Sequence, residues 1–201
     1  MNDGRVDRQG RFWAGAMIED PTISAVANLH CVGGQGIDTR ERGLAIANGI
    51  CWSPDSSWFH LADSMRRIIW RYAFDADTGE ITDPMEFART EEGVCPDGAA
   101  MDAEGCMWGA QWGGGRVVRY TPDGGIDRVL KLPVSQPTCV AFGGPNLDLL
   151  FVTTARAGLS TGALAAQTGA GNVFVYNVGM QGLPENRFKM SNWPSNRELG
   201  G

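Results

Sequence analysis

No run in this sequence is apolar and long enough to cross a bilayer. Met1 is followed by Asn2-Asp3-Gly4 rather than by the basic and then apolar stretches of a secretory leader, so no export signal and no membrane partner are expected. Basic charge is in deficit: 17 Lys and Arg against 23 Asp and Glu give a net charge of −6, and without a basic face no nucleic-acid partner is expected. The five cysteines (31, 51, 95, 106 and 139) are odd in number and lack C-x-x-C spacing, which excludes a disulfide framework and a cysteine zinc site. They read as small buried hydrophobes in a reducing compartment, hence a cytoplasmic location. Histidine is scarce, with only His30 and His60. His60 alternates with Phe59 and Leu61 and reads as a satisfied or surface strand residue. Neither histidine lies near a G-x-S-x-G elbow, so a Ser-His-Asp hydrolase is excluded and any hydrolysis would rest on carboxylates and a metal. Sustained helical periodicity is also missing, so helices should be few.

Glycine is abundant instead, 28 of 201 residues or about twice the usual share, and seven tryptophans accompany it. Both belong to a repeat. Four segments share one outline, an apolar strand, a polar Asp/Gly turn and a second strand led by an aromatic: Val6–Gly15, Cys51–Leu61, Met101–Ala110 and Val140–Thr153. The leading aromatics, Trp13, Phe59, Trp108 and Phe151, are 46, 49 and 43 residues apart. Between them stand further hairpins, Ile68–Phe74 with the turn Asp75–Gly79 and Arg116–Tyr120 with the turn Thr121–Gly125; Asn172–Tyr176 opens another. Four strands in about 46 residues make a β-propeller blade, so the fold class is all-β, with about four blades of four-stranded antiparallel sheet. Residues 21–47 fit poorly, and an irregular, poorly packed edge is expected there. Asp75-x-Asp77-x-Gly79 resembles the start of a calcium loop but lacks its closing acid, so it reads as a connecting turn.

Repeats allow residues to be compared by phase. Asn2, Asn48 and Asp97 each lie 11 residues before a leading aromatic, and matching Pro137 to Pro96 puts Thr138 in the same place. This position enters the innermost strand, so the three side chains should converge at one mouth of the central channel. Their oxygens suit a hard divalent cation such as calcium, magnesium or manganese. Asn-Gly and Asp-Gly are equally common hairpin-turn steps, and that alternative stands beside the first.

The blocks Asn2–Gly15, Asn48–Asp55, Ala62-Asp63-Ser64, Pro96–Gly105, Gly114–Tyr120 and Cys139–Gly144 resemble signatures of the senescence marker protein/gluconolactonase/regucalcin family. The resemblance covers residues 2–188 apart from 21–47. It implies a six-bladed propeller that hydrolyses sugar lactones with one divalent cation (calcium, zinc, magnesium or manganese) at the end of the channel. It makes Asn48 and Asp97 metal ligands, Asp97 also the general base, and Asn2 a substrate contact. The family's acidic substrate-binding residue falls on Asp20 by ungapped counting or on its neighbour Glu19; these could equally be a solvated turn before Pro21.

The departures matter too. No counterpart of the family's metal-binding glutamate exists here, and Met1 stands where a substrate-contacting arginine would precede. At about 46 residues a blade, six blades need roughly 280 residues. Residues 1–189 are therefore expected to form a partial propeller lacking about two N-terminal blades, with 190–201 an unstructured tail. Exposed blade edges should favour self-association. The expected function is metal-dependent hydrolysis of an aldonolactone, with low or no activity for this chain alone. The alternatives are a non-catalytic calcium-binding or interaction propeller, or an inactive fragment.

Overall fold

The computed structural model describes residues 1–18, 26–33, 36–189 and 191. Four antiparallel sheets form in chain order. The first holds β1 (Gly4–Val6), β2 (Phe12–Gly15), β3 (Ala27–Gly33) and β4 (Gly36–Leu44). β5 (Ala47–Trp52), β6 (Trp58–Asp63), β7 (Ile68–Phe74) and β8 (Ile81–Arg89) make the second. The third comprises β9 (Cys95–Met101), β10 (Met107–Trp112), β11 (Arg116–Tyr120) and β12 (Ile126–Lys131). β13 (Pro137–Gly143), β14 (Leu149–Thr154) and, after the short helix α1 (Thr161–Ala166), β15 (Val173–Asn177) form a three-stranded fourth sheet. β1 lies beside β5, β5 beside β9 and β9 beside β13, so the first strand of each sheet is innermost. The chain is a β-propeller of four blades.

Apolar layers hold neighbouring blades together. Trp13, Leu29, Phe59 and Leu61 are fully buried between the first two, and Ile69, Met107 and Val118 between the second and third. Trp108, Val117, Val140 and Leu150 fill the third interface. The expected irregular edge at 21–47 is corrected for its described part: β3 and β4 pair as a regular outer hairpin, interrupted by register shifts around Leu29. Ala27, Leu29 and Cys31 carry the buried face, a strand pattern written largely in small residues. The charged run of β4 lies on the outer edge, where charge blunts strand-to-strand aggregation. Its Arg40 pairs with Asp38 and Glu80.

Two buried carboxylates repeat by blade. Asp7 accepts from the Arg11 backbone N–H, Arg11 Nε and Trp13 Nε1 at 2.9, 2.6 and 3.0 Å. Asp102 accepts from the Cys106 N–H, Trp108 Nε1 and Arg119 Nε at 3.0, 2.9 and 2.8 Å. Each ties a hairpin turn to the tryptophan of the strand that follows. Asp75 Oδ1 accepts from the Asp77 and Thr78 N–H groups, so that segment is a connecting turn. Beyond β15 the chain returns across the hairpin ends: Gly182 N–H donates to Leu147 O, Asn186 Nδ2 to Val6 O and Lys189 N–H to Gly10 O.

Strand register corrects one aromatic. Arg5 pairs with Trp13, Ala100 with Trp108 and Ala141 with Phe151, whereas Cys51 pairs with His60. His60, not Phe59, is thus the equivalent of the other leading aromatics, because the second blade's hairpin carries one extra residue. Nor is His60 a satisfied or surface histidine. It is buried edge-on against Phe87 at 4.7 Å, and its Nδ1 has no hydrogen-bond partner. Burial, reinforced by the Arg71 charge, lowers its pKa to about 3. Below the unfolded value of 6.5 the unfolded chain binds a proton that the folded chain refuses, so stability falls as pH drops from 6.5 toward 3. At pH 5 the loss should be about 2 kcal/mol. Relative to wild type, His60→Phe should therefore gain about 2 kcal/mol at pH 5 over its effect at pH 7.5 in urea titrations; an equal effect at both pH values would show that His60 does not resist protonation.

Candidate active site

The Asn-Gly and Asp-Gly steps of the second and third blades are not hairpin turns. Both lie inside innermost strands, at β-bulges. In β5, Gly49 and Ile50 oppose Leu61 alone, and in β9, Asp97 and Gly98 oppose Ala110 alone. Thr138 is the extra residue of the corresponding irregularity in β13. A bulge twists the strand and re-aims its side chains, a common device beside active sites. Gly49 makes it sterically feasible: its φ is +60°, and a Cβ there would stand 3.1 Å from Asp97 O. Asn2, Asn48 and Asp97 occupy equivalent registers, each three residues before the partner of Trp13, His60 and Trp108. All three line one cavity of about 300 Å³, whose wall also includes Met17, Ser64 and Trp112.

The blades are stitched together at this mouth. Asn2 Nδ2 donates to Ala47 O at 3.0 Å, joining the first blade to the second. Ser64 Oγ donates to Pro96 O at 2.7 Å, joining the second to the third. The Asp3 carboxylate accepts from Gly4 N–H at 2.8 Å and from Ile50 N–H at 3.0 Å. Counting by phase missed both Ser64 and Asp3. Their signal was adjacency, since Asp3 follows Asn2 directly and Ser64 ends the Ala62-Asp63-Ser64 block. Between β9 and β13 the approach is close: a Cβ on Gly98 would stand 2.8 Å from Cys139 Cβ and 3.0 Å from its Cα. Gly98→Ala should therefore wedge the third and fourth blades apart and cost about 1–3 kcal/mol, read as a lowered urea midpoint. An unchanged midpoint would show that the inner strands yield freely there.

Asp97 is the electrostatic centre. Burial pushes its carboxyl up to about 7 and the Asp3 carboxylate adds to this, while the Gly98 N–H (3.0 Å) and the Asn48 amide oppose it. No basic side chain contributes to that balance. A desolvated carboxylate beside a second acid, with an Asn amide at hand, is a donor set that fits a hard divalent cation in kind. It falls short in number, because such ions take six or more oxygens. Among the described residues no three His, Cys, Asp or Glu side chains converge on a metal position. Glu19 and Asp20 lie outside the described residues. Thr138 is half-buried, and its Oγ1 pairs with Thr153 Oγ1 at 2.8 Å.

Relatives share this frame. A 6-deoxy-6-sulfogluconolactonase of Pseudomonas putida is 38% identical over 190 residues, covering 94% of this chain and 65% of its own length. An L-arabinolactonase of Azospirillum brasilense is 40% identical over 194 residues, covering 94% and 63%. The crystal structure of a calcium-binding protein, regucalcin, from Agrobacterium tumefaciens superposes with a TM-score of 0.89 at 32% identity, covering 94% of this chain and 64% of that one. The chain thus spans slightly less than two thirds of the length of these proteins. The family model for the SMP-30/gluconolactonase/LRE-like region matches residues 1–156, and on that match and these identities the chain belongs to this family.

Proposed function

We propose that this chain carries the central part of a sugar-lactone hydrolase site that opens an aldonolactone to its aldonic acid. The observation that supports it most is Asp97, a half-buried carboxyl with a pKa of about 7, in one cavity with Asn2 and Asn48. A base of that strength accepts a proton near neutral pH yet is half-deprotonated there. Two of the relatives described above are named as lactonases.

Asn48 and Asp97 would hold a divalent cation, which when bound supplies Lewis-acid polarisation of the lactone carbonyl. Asp97 takes a proton from the attacking water, whose oxygen bonds to the carbonyl carbon. The carbon–oxygen bond of the lactone ring then breaks, and the departing ring oxygen receives the proton that Asp97 took from the water, which restores the carboxylate. Asn2 Nδ2 gives one of its two hydrogens to Ala47 O, which fixes the orientation of the amide and leaves Oδ1 to accept from a sugar hydroxyl. The two acids before Pro21, Glu19 or Asp20, are proposed to add a second hydroxyl contact. Calcium, magnesium, manganese and zinc remain the candidate ions. All five cysteines are free thiols, which supports a reducing, cytoplasmic setting; among the described residues no helix is long and apolar enough to cross a membrane.

Acid release from a five-carbon and a six-carbon aldonolactone, followed in a pH-stat with Mn²⁺ or Ca²⁺ added and then chelated, tests the reading. Because the chain carries only part of the site, cation-dependent release is expected to be weak, at most slightly above the spontaneous rate; robust turnover by this chain alone would show the site to be complete without the rest of the ring. A folded protein that binds the cation and leaves both lactones untouched would instead be a non-catalytic cation-binding propeller.

A further inference from the structure

We infer that Ser64 is a positioning residue that fixes which way the Asn48 carboxamide faces, and so prepares its oxygen for a cation. The inference rests on the proposed site. Ser64 and Asn48 are both buried. Ser64 Oγ lies 2.9 Å from Asn48 Nδ2 and 2.7 Å from Pro96 O. A carbonyl oxygen can only accept, so the single hydroxyl proton of Ser64 is committed to Pro96. Ser64 Oγ must then accept from Asn48, which assigns Nδ2 to the Ser64 side. The Asn48 amide also stands near enough to Asp97 to favour its charged form. Oδ1 is left as the uncommitted acceptor of Asn48, in the cavity that Asp97 shares.

Pro96 is a well-suited anchor. It immediately precedes Asp97, so the same hydroxyl that orients Asn48 also holds the strand carrying Asp97. Proline brings no N–H of its own to compete for Ser64 Oγ. One buried hydroxyl therefore couples two candidate ligands on different blades, the kind of outer contact that typically tunes metal affinity 10–100-fold.

The test compares the wild-type chain with Ser64→Ala, Ser64→Thr, Asn48→Ala and Asp97→Asn. Mn²⁺ binding is followed by loss of the free-ion electron paramagnetic resonance signal, and folding by thermal unfolding without cation. Ser64→Ala should weaken Mn²⁺ binding at least tenfold, while Ser64→Thr, which keeps the hydroxyl, should stay within about threefold of wild type. A merely structural serine would lower the unfolding temperature of Ser64→Ala and leave Mn²⁺ affinity unchanged in the folded protein. That result overturns the inference alone, provided Asn48→Ala and Asp97→Asn lose binding. If wild type binds no Mn²⁺, or binds it equally after Asn48→Ala and Asp97→Asn, the site reading fails and this inference with it. If Ser64→Ala does not fold, the Ser64→Thr comparison decides: affinity at the wild-type level upholds the inference, and a tenfold loss overturns it.

Discussion

Asp97→Asn should return any cation-dependent lactone hydrolysis to the spontaneous rate, while making the cation-free protein more stable near pH 8. The first effect follows from the loss of a general base, for which a factor of about 10²–10⁴ is typical, together with one anionic cation donor. The second comes from the same carboxylate. Its folded pKa of about 7 lies above the unfolded value of 3.8, so the folded state holds the proton more tightly. Between those values stability falls as pH rises, and above 7 the folded protein carries a charge its surroundings oppose. Asparagine is neutral throughout, so the variant's advantage should be large at pH 8 and small at pH 4. Thermal unfolding at both pH values, beside the pH-stat assay, separates the outcomes. Unchanged turnover would remove Asp97 from the chemistry; an equal shift at both pH values would show that its carboxyl is not destabilised by burial.

The largest loss of stability is expected at Asp102→Ala. This carboxylate is fully buried and accepts from two backbone N–H groups within the β9–β10 turn as well as from Trp108 Nε1 and Arg119 Nε. Removing it leaves the indole N–H and much of a buried guanidinium without their acceptor, although Glu104 and Asp127 still pair with Arg119. Breaking a buried charge pair from one side costs about 3–5 kcal/mol. For a chain of this size that corresponds to a fall of roughly 10 °C in the unfolding midpoint. Asp123→Ala, on an exposed turn, should move it by a degree or two. Comparable shifts for the two variants would show that the Asp102 cluster is no stronger than a surface contact.

Much of the architecture could be read from the chain because a propeller writes itself in repeats. The hairpins at Ile68–Phe74 and Arg116–Tyr120 appear as β7 and β11 with their full ranges. The equivalence of Asn2, Asn48 and Asp97 follows from the regular distance along an inner strand. Counting failed where a turn changed length: Phe59 stood in for His60. The outer hairpin of the first blade was obscured because Ala27 and Cys31 bury little area each, and β4 is charged as outer edges tend to be. Contacts that cross from blade to blade, such as Ser64 to Pro96, have no period to betray them.

The turn in the second blade shows how such a protein accommodates change. Ser53 and Trp58 close it where Asp7 and Arg11, or Asp102 and Cys106, close the others one residue sooner, and Ser56 takes the positive φ that glycine supplies elsewhere. The extra residue leaves Asn48, paired with Ala62 beside the Gly49–Ile50 bulge, at its place on the inner strand, because the slack is taken up at the rim farthest from the cavity. The connections at the mouth vary more widely still, from three residues between β10 and β11 to eighteen, with α1, between β14 and β15. Both ends of a blade thus tolerate changes in length, and what repeats from blade to blade is the spacing along the inner strands, which is where a comparison of blades is best anchored.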